Sequence, residues 1–190
     1  MNEEQQLTYN KLISKNNFNE DQKDEIRIGL EKELDVNWYA KPEYTWQKMS
    51  EIRWGLEGNL DVSLYANPEF STYQMAEIRE GLESNINVLI YAKNEYEWQQ
   101  MSQIKEGLID NIDVSLYAKP EYDFNQMRQI RLGLCENLDI SIYARPEFNG
   151  FQMKQIRLGL ENKINVELYL NPGISWNEMK EIRLELESNK

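Results

Sequence analysis

The sequence predicts an all-α protein, an α-helical solenoid of about seven stacked 26-residue units, and three observations carry that reading. First, one segment recurs: VNWYAKPEYTWQKMSEIRWGLEGNLD at 36–61 is followed by VSLYANPEFSTYQMAEIREGLESNIN at 62–87. Second, residues that start helices recur at one place in every copy. Third, apolar residues follow them at spacings of three and four, as an amphipathic helix requires. Each unit therefore reads as a short helix, a proline turn and a long helix.

Full copies occupy 36–61, 62–87, 88–113, 114–139 and 140–165, with a shortened C-terminal capping copy at 166–190. Residues 1–35 read as a degenerate N-terminal cap in which a weaker copy fits 10–35, and the whole of 1–190 reads as one repeat domain. In that first copy Lys23 replaces the usual methionine, and Asn16 and Asn17 replace the usual Pro-Glu. Polar, atypical end units are what a stack needs to close itself, so the chain is expected to be complete at both ends.

Within a unit, Asp61, Asn87, Asp113, Asp139 and Asn165 stand where they can cap the short helix, exemplified by Val62–Ala66. The prolines at 42, 68, 120, 146 and 172 are expected to stop it, because a residue before proline is pushed out of helical geometry. The long helix is then capped by Thr45, Ser71, Asp123, Asn149 or Ser175, with Glu97 in the same place in one unit. Three residues on stand Gln74, Gln100, Gln126, Gln152 and Glu178, which complete a capping box. Before the cap lie Tyr44, Phe70, Tyr96, Tyr122, Phe148 and Ile174, and four residues after it lie Met49, Met75, Met101, Met127, Met153 and Met179. Such a pair is a hydrophobic staple. A methionine stripe can also serve soft-metal binding or a promiscuous groove, but its place inside the staple makes it core.

Met49, Ile52 and Leu56 define the buried face of the long helix, and Asn59, Asn85, Asn111 and Asn137 suit a left-handed C-terminal cap. Gly29, Gly55, Gly81, Gly107, Gly133 and Gly159 lie inside these helices, each at a cost of about 1 kcal/mol relative to alanine. Close approach of the next unit's helix is the expected compensation, and the last unit carries Glu185 at that place. Arg27, Arg53, Arg79, Arg131, Arg157 and Arg183 recur, with Lys105 in one copy, while Glu43, Glu69, Glu95, Glu121 and Glu147 recur in the proline turn. These are expected to pair as a structural ladder. Aromatic residues at the first helical turn (Trp46, Trp98, Phe124 and Trp176, displaced by one place to Tyr73 and Phe151) read as occupants of a packing niche.

Composition narrows function. Basic residues number 21 against 33 acidic, a net charge of −12 that repels nucleic acid and anionic membrane and attracts basic surfaces. Histidine is absent, which removes imidazole bases, Ser-His and Cys-His pairs and His-containing zinc sites. A single cysteine, Cys135, cannot form an internal disulfide and has no base beside it. No glycine-rich phosphate loop, isolated carboxylate pair or aspartate-rich metal loop is present, so neither an enzyme activity nor a cofactor nor a metal is expected. The acidic N-terminus MNEEQQLTYNKL lacks the features of a secretory signal, and a cytoplasmic location is expected.

The pattern QMxxIRxGLExxLDVSxYAxPEF, matched here by Gln126-Met127, Ile130-Arg131, Gly133-Leu134 and Tyr117-Ala118, resembles a short helical repeat of largely uncharacterised proteins from low-GC Gram-positive bacteria and their phages and mobile elements. That resemblance implies a helical solenoid and carries no functional residue with it. Function is then sought where the repeat varies. The position after the arginine reads Trp54, Glu80, Glu106, Leu132, Leu158 and Leu184 and points away from the buried face, so these six are the expected protein-binding residues. The expected partner is a protein with a basic surface, with no direct nucleic-acid or membrane binding and with a homodimer as a further possibility. The leading expectation is an inhibitor, borne by a phage or mobile element, of a host nucleic-acid-binding defence protein such as a CRISPR nuclease. The alternative is a bacterial scaffold that joins cellular proteins through the solenoid face.

Overall fold

The computed structural model describes residues 1–189, and among these the chain is an all-α repeat array, a helical solenoid in class. Its long helices are α1 (Glu3–Lys15), α2 (Glu20–Glu31), α3 (Trp46–Glu57), α4 (Thr72–Glu83), α5 (Trp98–Ile109), α6 (Phe124–Cys135), α7 (Gly150–Glu161) and α8 (Trp176–Ser188). From α2 onward each is joined to the next by a three-residue 3₁₀ helix, such as Val62–Leu64. The chain forms two compact units, Met1–Met101 and the part from Ser102 onward, so that α5 is shared between them.

Local chemistry sets the helix starts. The side chains of Thr45, Ser71, Asp123, Asn149 and Ser175 each accept a backbone N–H of the first turn, and full capping boxes form at Ser71/Gln74, Asp123/Gln126 and Asn149/Gln152. At Glu97 the backbone N–H donates to Gln100 Oε1 at 2.7 Å. The box glutamine has a second task that its place in the sequence does not reveal. Its Nε2 donates to a carbonyl of the next turn: Gln74 to Tyr96 O, Gln126 to Phe148 O and Gln152 to Ile174 O, each at 2.7 Å. Where α3 has Lys48 instead, its ammonium reaches Pro68 O at 2.7 Å. One side chain thus both starts a helix and ties it to its successor.

Helix ends are equally local. Asn59, Asn85, Asn111 and Asn137 have φ of 53–56°, and Glu33 and Lys163 take the same left-handed conformation. The next N–H returns to the glycine carbonyl, as in Leu60 to Gly55 O at 2.8 Å, which completes a Schellman cap. The short helices are capped as expected by Asp61 and its equivalents. They span three residues, and Val88–Ile90 ends on schedule although Asn94 stands there in place of proline. Proline therefore stiffens the turn without being what terminates the helix.

Within each compact unit the core is a column of Val, Tyr, the staple aromatic, Met and Ile of the repeats, with the half-buried Ile140 and Ile174 among the exceptions; Tyr65, Met75 and Ile78 are among the fully buried members. The intrahelical glycines open this column to a tyrosine. The approach comes from the following 3₁₀ segment, not from the next long helix. A Cβ on Gly55 would lie 1.8 Å from the Tyr65 hydroxyl, and one on Gly133 would lie 1.9 Å from that of Tyr143. Each hydroxyl then donates to a helical carbonyl one turn before the glycine: Tyr65 to Glu51 O at 3.1 Å, and Tyr143 to Gln129 O at 3.1 Å. In α8, Glu185 stands at the glycine place, and no 3₁₀ helix follows among the described residues.

The first weak copy departs from the pattern. Residues 10–15 belong to α1, a continuous α-helix, and no short helix forms before α2. α1 is fastened by Gln5 Nε2 donating to Leu30 O at 2.7 Å, and Phe18 provides the buried staple aromatic ahead of α2.

Candidate protein-binding surface

The recurrent arginines form a ladder, but with different partners from those expected. In the N-terminal unit Arg53 Nε binds Glu25 at 2.7 Å and Arg79 Nε binds Glu51 at 2.8 Å, each reaching 28 residues back onto the preceding helix. In the C-terminal unit the same reach ends on an amide: Arg131 on Gln103, Arg157 on Gln129 and Arg183 on Gln155. The other end of the guanidinium pairs with the last turn of its own helix, at Glu57, Glu83, Glu161 or Glu187. The glutamates of the proline turn are not rungs. Glu69 accepts from Asn94 at 2.6 Å, and Glu95 and Glu147 lie 3.9 and 3.6 Å from Lys93 and Arg145 of their own turns.

Burial dominates the electrostatics of this layer. It pushes the Glu51 carboxyl above its usual range, and the hydrogen bond and charge of Arg79 offset that only in part. Glu57 is also pushed up by burial, but hydrogen bonds from Lys32 and Arg53 outweigh this and hold it below the usual range. Burial raises the hydroxyls of Tyr39, Tyr65, Tyr91, Tyr117 and Tyr143 well above the ordinary phenol range, and that of Tyr169 to about 12.

The variable positions lie one step beyond the ladder. Trp54 is 44% exposed, with the guanidinium carbons of Arg53 and Arg79 at 5.7 and 5.5 Å from its ring. Glu80 is exposed, and its carboxylate is 4.0 Å from Arg79, so Trp54 and Glu80 meet through one arginine. In the C-terminal unit Glu106 pairs with Arg131, Leu132 and Leu158 are half-buried, and Leu184 is exposed. The six residues thus belong to two separate sets, Trp54 with Glu80 and Glu106 with the leucines.

The sequence reading missed a second row. The first-turn aromatics are not enclosed in a niche: Tyr73 is 66% exposed and Phe151 is 56% exposed, and Trp46, Trp98, Phe124 and Trp176 are also at the surface. The one-place displacement does compensate, because Tyr73 reaches the ring of Trp98 at 5.4 Å and Phe151 reaches Trp176 at 5.6 Å. Within each unit one such pair thus joins two neighbouring repeats while its rings keep a face to solvent. The available signal was spacing, since none of them falls on the Met–Ile–Leu stripe.

Charge divides unevenly. Residues 1–101 carry 10 basic and 19 acidic side chains, or −9, whereas 102–190 carry 11 and 14, or −3. Among the described residues no group of three or more His, Cys, Asp or Glu is placed to hold a metal ion, and no helix is long and apolar enough to cross a membrane. Cys135 is exposed, 4.0 Å from an oxygen of Asp110. Comparison with family models, curated proteins and solved structures returns no match.

Proposed function

We propose that this chain is a non-enzymatic repeat protein whose work is to bind another protein. The carrying observation is that the recurrent residues are occupied in caps, staples, glycine–tyrosine seats and arginine rungs, while unburied aromatic residues stand in rows beside them. Exposed aromatics next to ordered charged groups are the usual anchors of an interface. The charge of −9 over residues 1–101 favours a basic partner surface for the N-terminal unit.

The setting we favour is a cytoplasmic inhibitor, carried by a phage or mobile element, of a nucleic-acid-binding defence protein such as a CRISPR nuclease. The resemblance of the repeat to those of mobile elements supports it, as does the fit of an acidic body to a basic nucleic-acid channel. A scaffold joining cellular proteins is the second reading, favoured by the unequal charge of the two units. The test is affinity capture from a bacterial lysate at low and high salt, with nuclease assays on any basic protein recovered. A partner lost at high salt and inhibited in its cleavage supports the inhibitor; capture of salt-resistant partners without inhibition supports the scaffold. Failure to retain any protein at low salt removes both.

A further inference from the structure

The C-terminal unit carries a row of cations that the ladder does not use. Arg128, Lys154 and Lys180 stand at one repeat position on α6, α7 and α8, all exposed, and none has an ion-pair partner among the described residues. Their neighbours Arg131, Arg157 and Arg183, by contrast, are all paired. In the N-terminal unit the same position holds no cation: it is Asp24 on α2, Ser50 on α3 and Ala76 on α4. Three unpaired cations in register, within a chain of net charge −12, are a local reversal of the protein's electrostatic character.

Their surroundings define what they suit. One helical turn before the cations lie Phe124, Phe151 and Trp176, and one turn after lie Leu132, Leu158 and Leu184. Residues four apart share a helix face, so each helix presents aromatic, cation and leucine in line. The Phe151–Trp176 ring contact at 5.6 Å ties α7 to α8 along the aromatic row. At the start of α7, a Cβ on Gly150 would lie only 2.5 Å from Asn125 Cβ of α6, so these two helix starts are closely packed. Packed helices lie roughly 8–10 Å apart, which spaces the cations by a similar distance.

We propose that this face of α6, α7 and α8 docks an acidic segment of a partner protein that carries large apolar side chains. Its carboxylates meet Arg128, Lys154 and Lys180, and its apolar residues lie on the aromatic row and the leucine row. Charge complementarity selects the acid, and two flanking apolar rows select polypeptide over a phosphate backbone. A nucleic acid would gain at most a few phosphate contacts here while facing the acidic remainder of the chain. The inference rests on reading the chain as a protein-binding array and adds a second surface, opposite in charge to that of the N-terminal unit.

The test uses the full chain and a fluorescein-labelled peptide of about twenty residues, in which Glu and Asp alternate with Leu and Phe at helical spacing. Fluorescence anisotropy at low salt is expected to give saturable binding, weakened about tenfold or more by the double change Lys154→Glu with Lys180→Glu. Lys154→Glu alone is read against Lys163→Glu as its matched control: the latter makes the same single charge change at an exposed site where Glu33 already occupies the equivalent backbone conformation, and it should leave binding unchanged. Phe151→Ala with Leu184→Ala should weaken binding without changing net charge. Equal weakening by Lys163→Glu, tighter binding of an oligothymidylate than of the peptide, or self-association abolished by the double change would each overturn the proposal. A lysate partner still held by the Lys154→Glu, Lys180→Glu protein would sink this surface and leave the protein-binding reading intact. No lysate partner at all would sink that reading, while the peptide titration still judges the surface.

Discussion

Replacing Gly133 by alanine inside α6 separates architecture from helix propensity. On an exposed helix that change stabilises by about 1 kcal/mol. Here the new Cβ would stand 1.9 Å from the Tyr143 hydroxyl, with Ile140 Cγ2 and Tyr143 Cζ next at 3.2 Å. Tyr143 is fully buried and cannot swing into solvent. Overpacking of this kind costs about 2 kcal/mol, and displacing the hydroxyl from Gln129 O forfeits about 1 kcal/mol more. Against the propensity gain, a net loss of about 2 kcal/mol is expected. Tyr143→Phe alone should cost about 1 kcal/mol, the worth of its hydrogen bond. In the alanine background the same change deletes the clashing atom and should restore about 1 kcal/mol, a coupling near 2 kcal/mol. Urea unfolding followed by circular dichroism measures all four proteins. Unchanged m-values are required, because repeat arrays can unfold in parts. A stabilising Gly133→Ala, or effects of the two changes that simply add, would refute the glycine–tyrosine seat.

Three further expectations follow from the same geometry. Gln152→Ala should destabilise by about 2–3 kcal/mol, since Gln152 accepts from Asn149 N–H and donates to Pro172 O and Ile174 O, bonds worth about 1 kcal/mol each; Gln152→Glu, which turns a carboxylate toward those two carbonyls, should be no better in the same unfolding assay. Glu51→Gln should be neutral or stabilising at pH 7, because burial already disfavours its charge and the C-terminal unit uses glutamine there, whereas Glu57→Gln should destabilise. The acid limb has opposite signs for the two: the lowered Glu57 contributes stability that is lost as pH falls through and below the ordinary carboxylate range, while the raised Glu51 takes up a proton first in the folded state and gains stability there. Unfolding curves at pH 7 and near pH 4 of the two single variants check both signs. At alkaline pH the raised tyrosines hold their protons in the folded state, so stability should fall as pH rises above about 10; in a Tyr9→Phe, Tyr73→Phe background, which removes two tyrosines outside the core, the phenolate absorbance of the buried repeat tyrosines should appear together with loss of helicity, and its appearance with helicity intact would contradict their burial.

What the sequence made legible were interactions closed within a few residues. The cap at Ser71 with Gln74, the staple of Phe70 on Met75 and the left-handed Asn85 each obey a local rule, and each stands where the pattern placed it. What stayed hidden depends on how neighbouring repeats sit against one another. The partner of Arg79 lies 28 residues back, one repeat plus two, an offset that only the stacked helices create. The seat for Tyr65 was visible as Gly55 but not as a tyrosine site, because the contact joins a helix to the turn after it. Exposure was misjudged for the same reason: Tyr73 and Phe151 recur like core residues yet stack outside the column. At the beginning of the chain, the weak copy concealed that residues 10–15 continue α1. The unpaired Arg128, Lys154 and Lys180 became distinguishable from Arg131, Arg157 and Arg183 only once the rungs of the ladder were in place.

The central claim is that packing uses up the constant positions and that binding belongs to the exposed rows. It is met most directly by quantitative affinity capture from bacterial lysate, comparing the native chain with two surface variants. One carries Trp46→Ala, Trp54→Ala and Tyr73→Ala; the other carries Lys154→Glu and Lys180→Glu. Both should keep the native helicity and melt within a few degrees of the parent, because every altered side chain is exposed. The account predicts that a partner retained by the native chain is lost, or reduced severalfold, on at least one of them. Undiminished capture by both variants would contradict it.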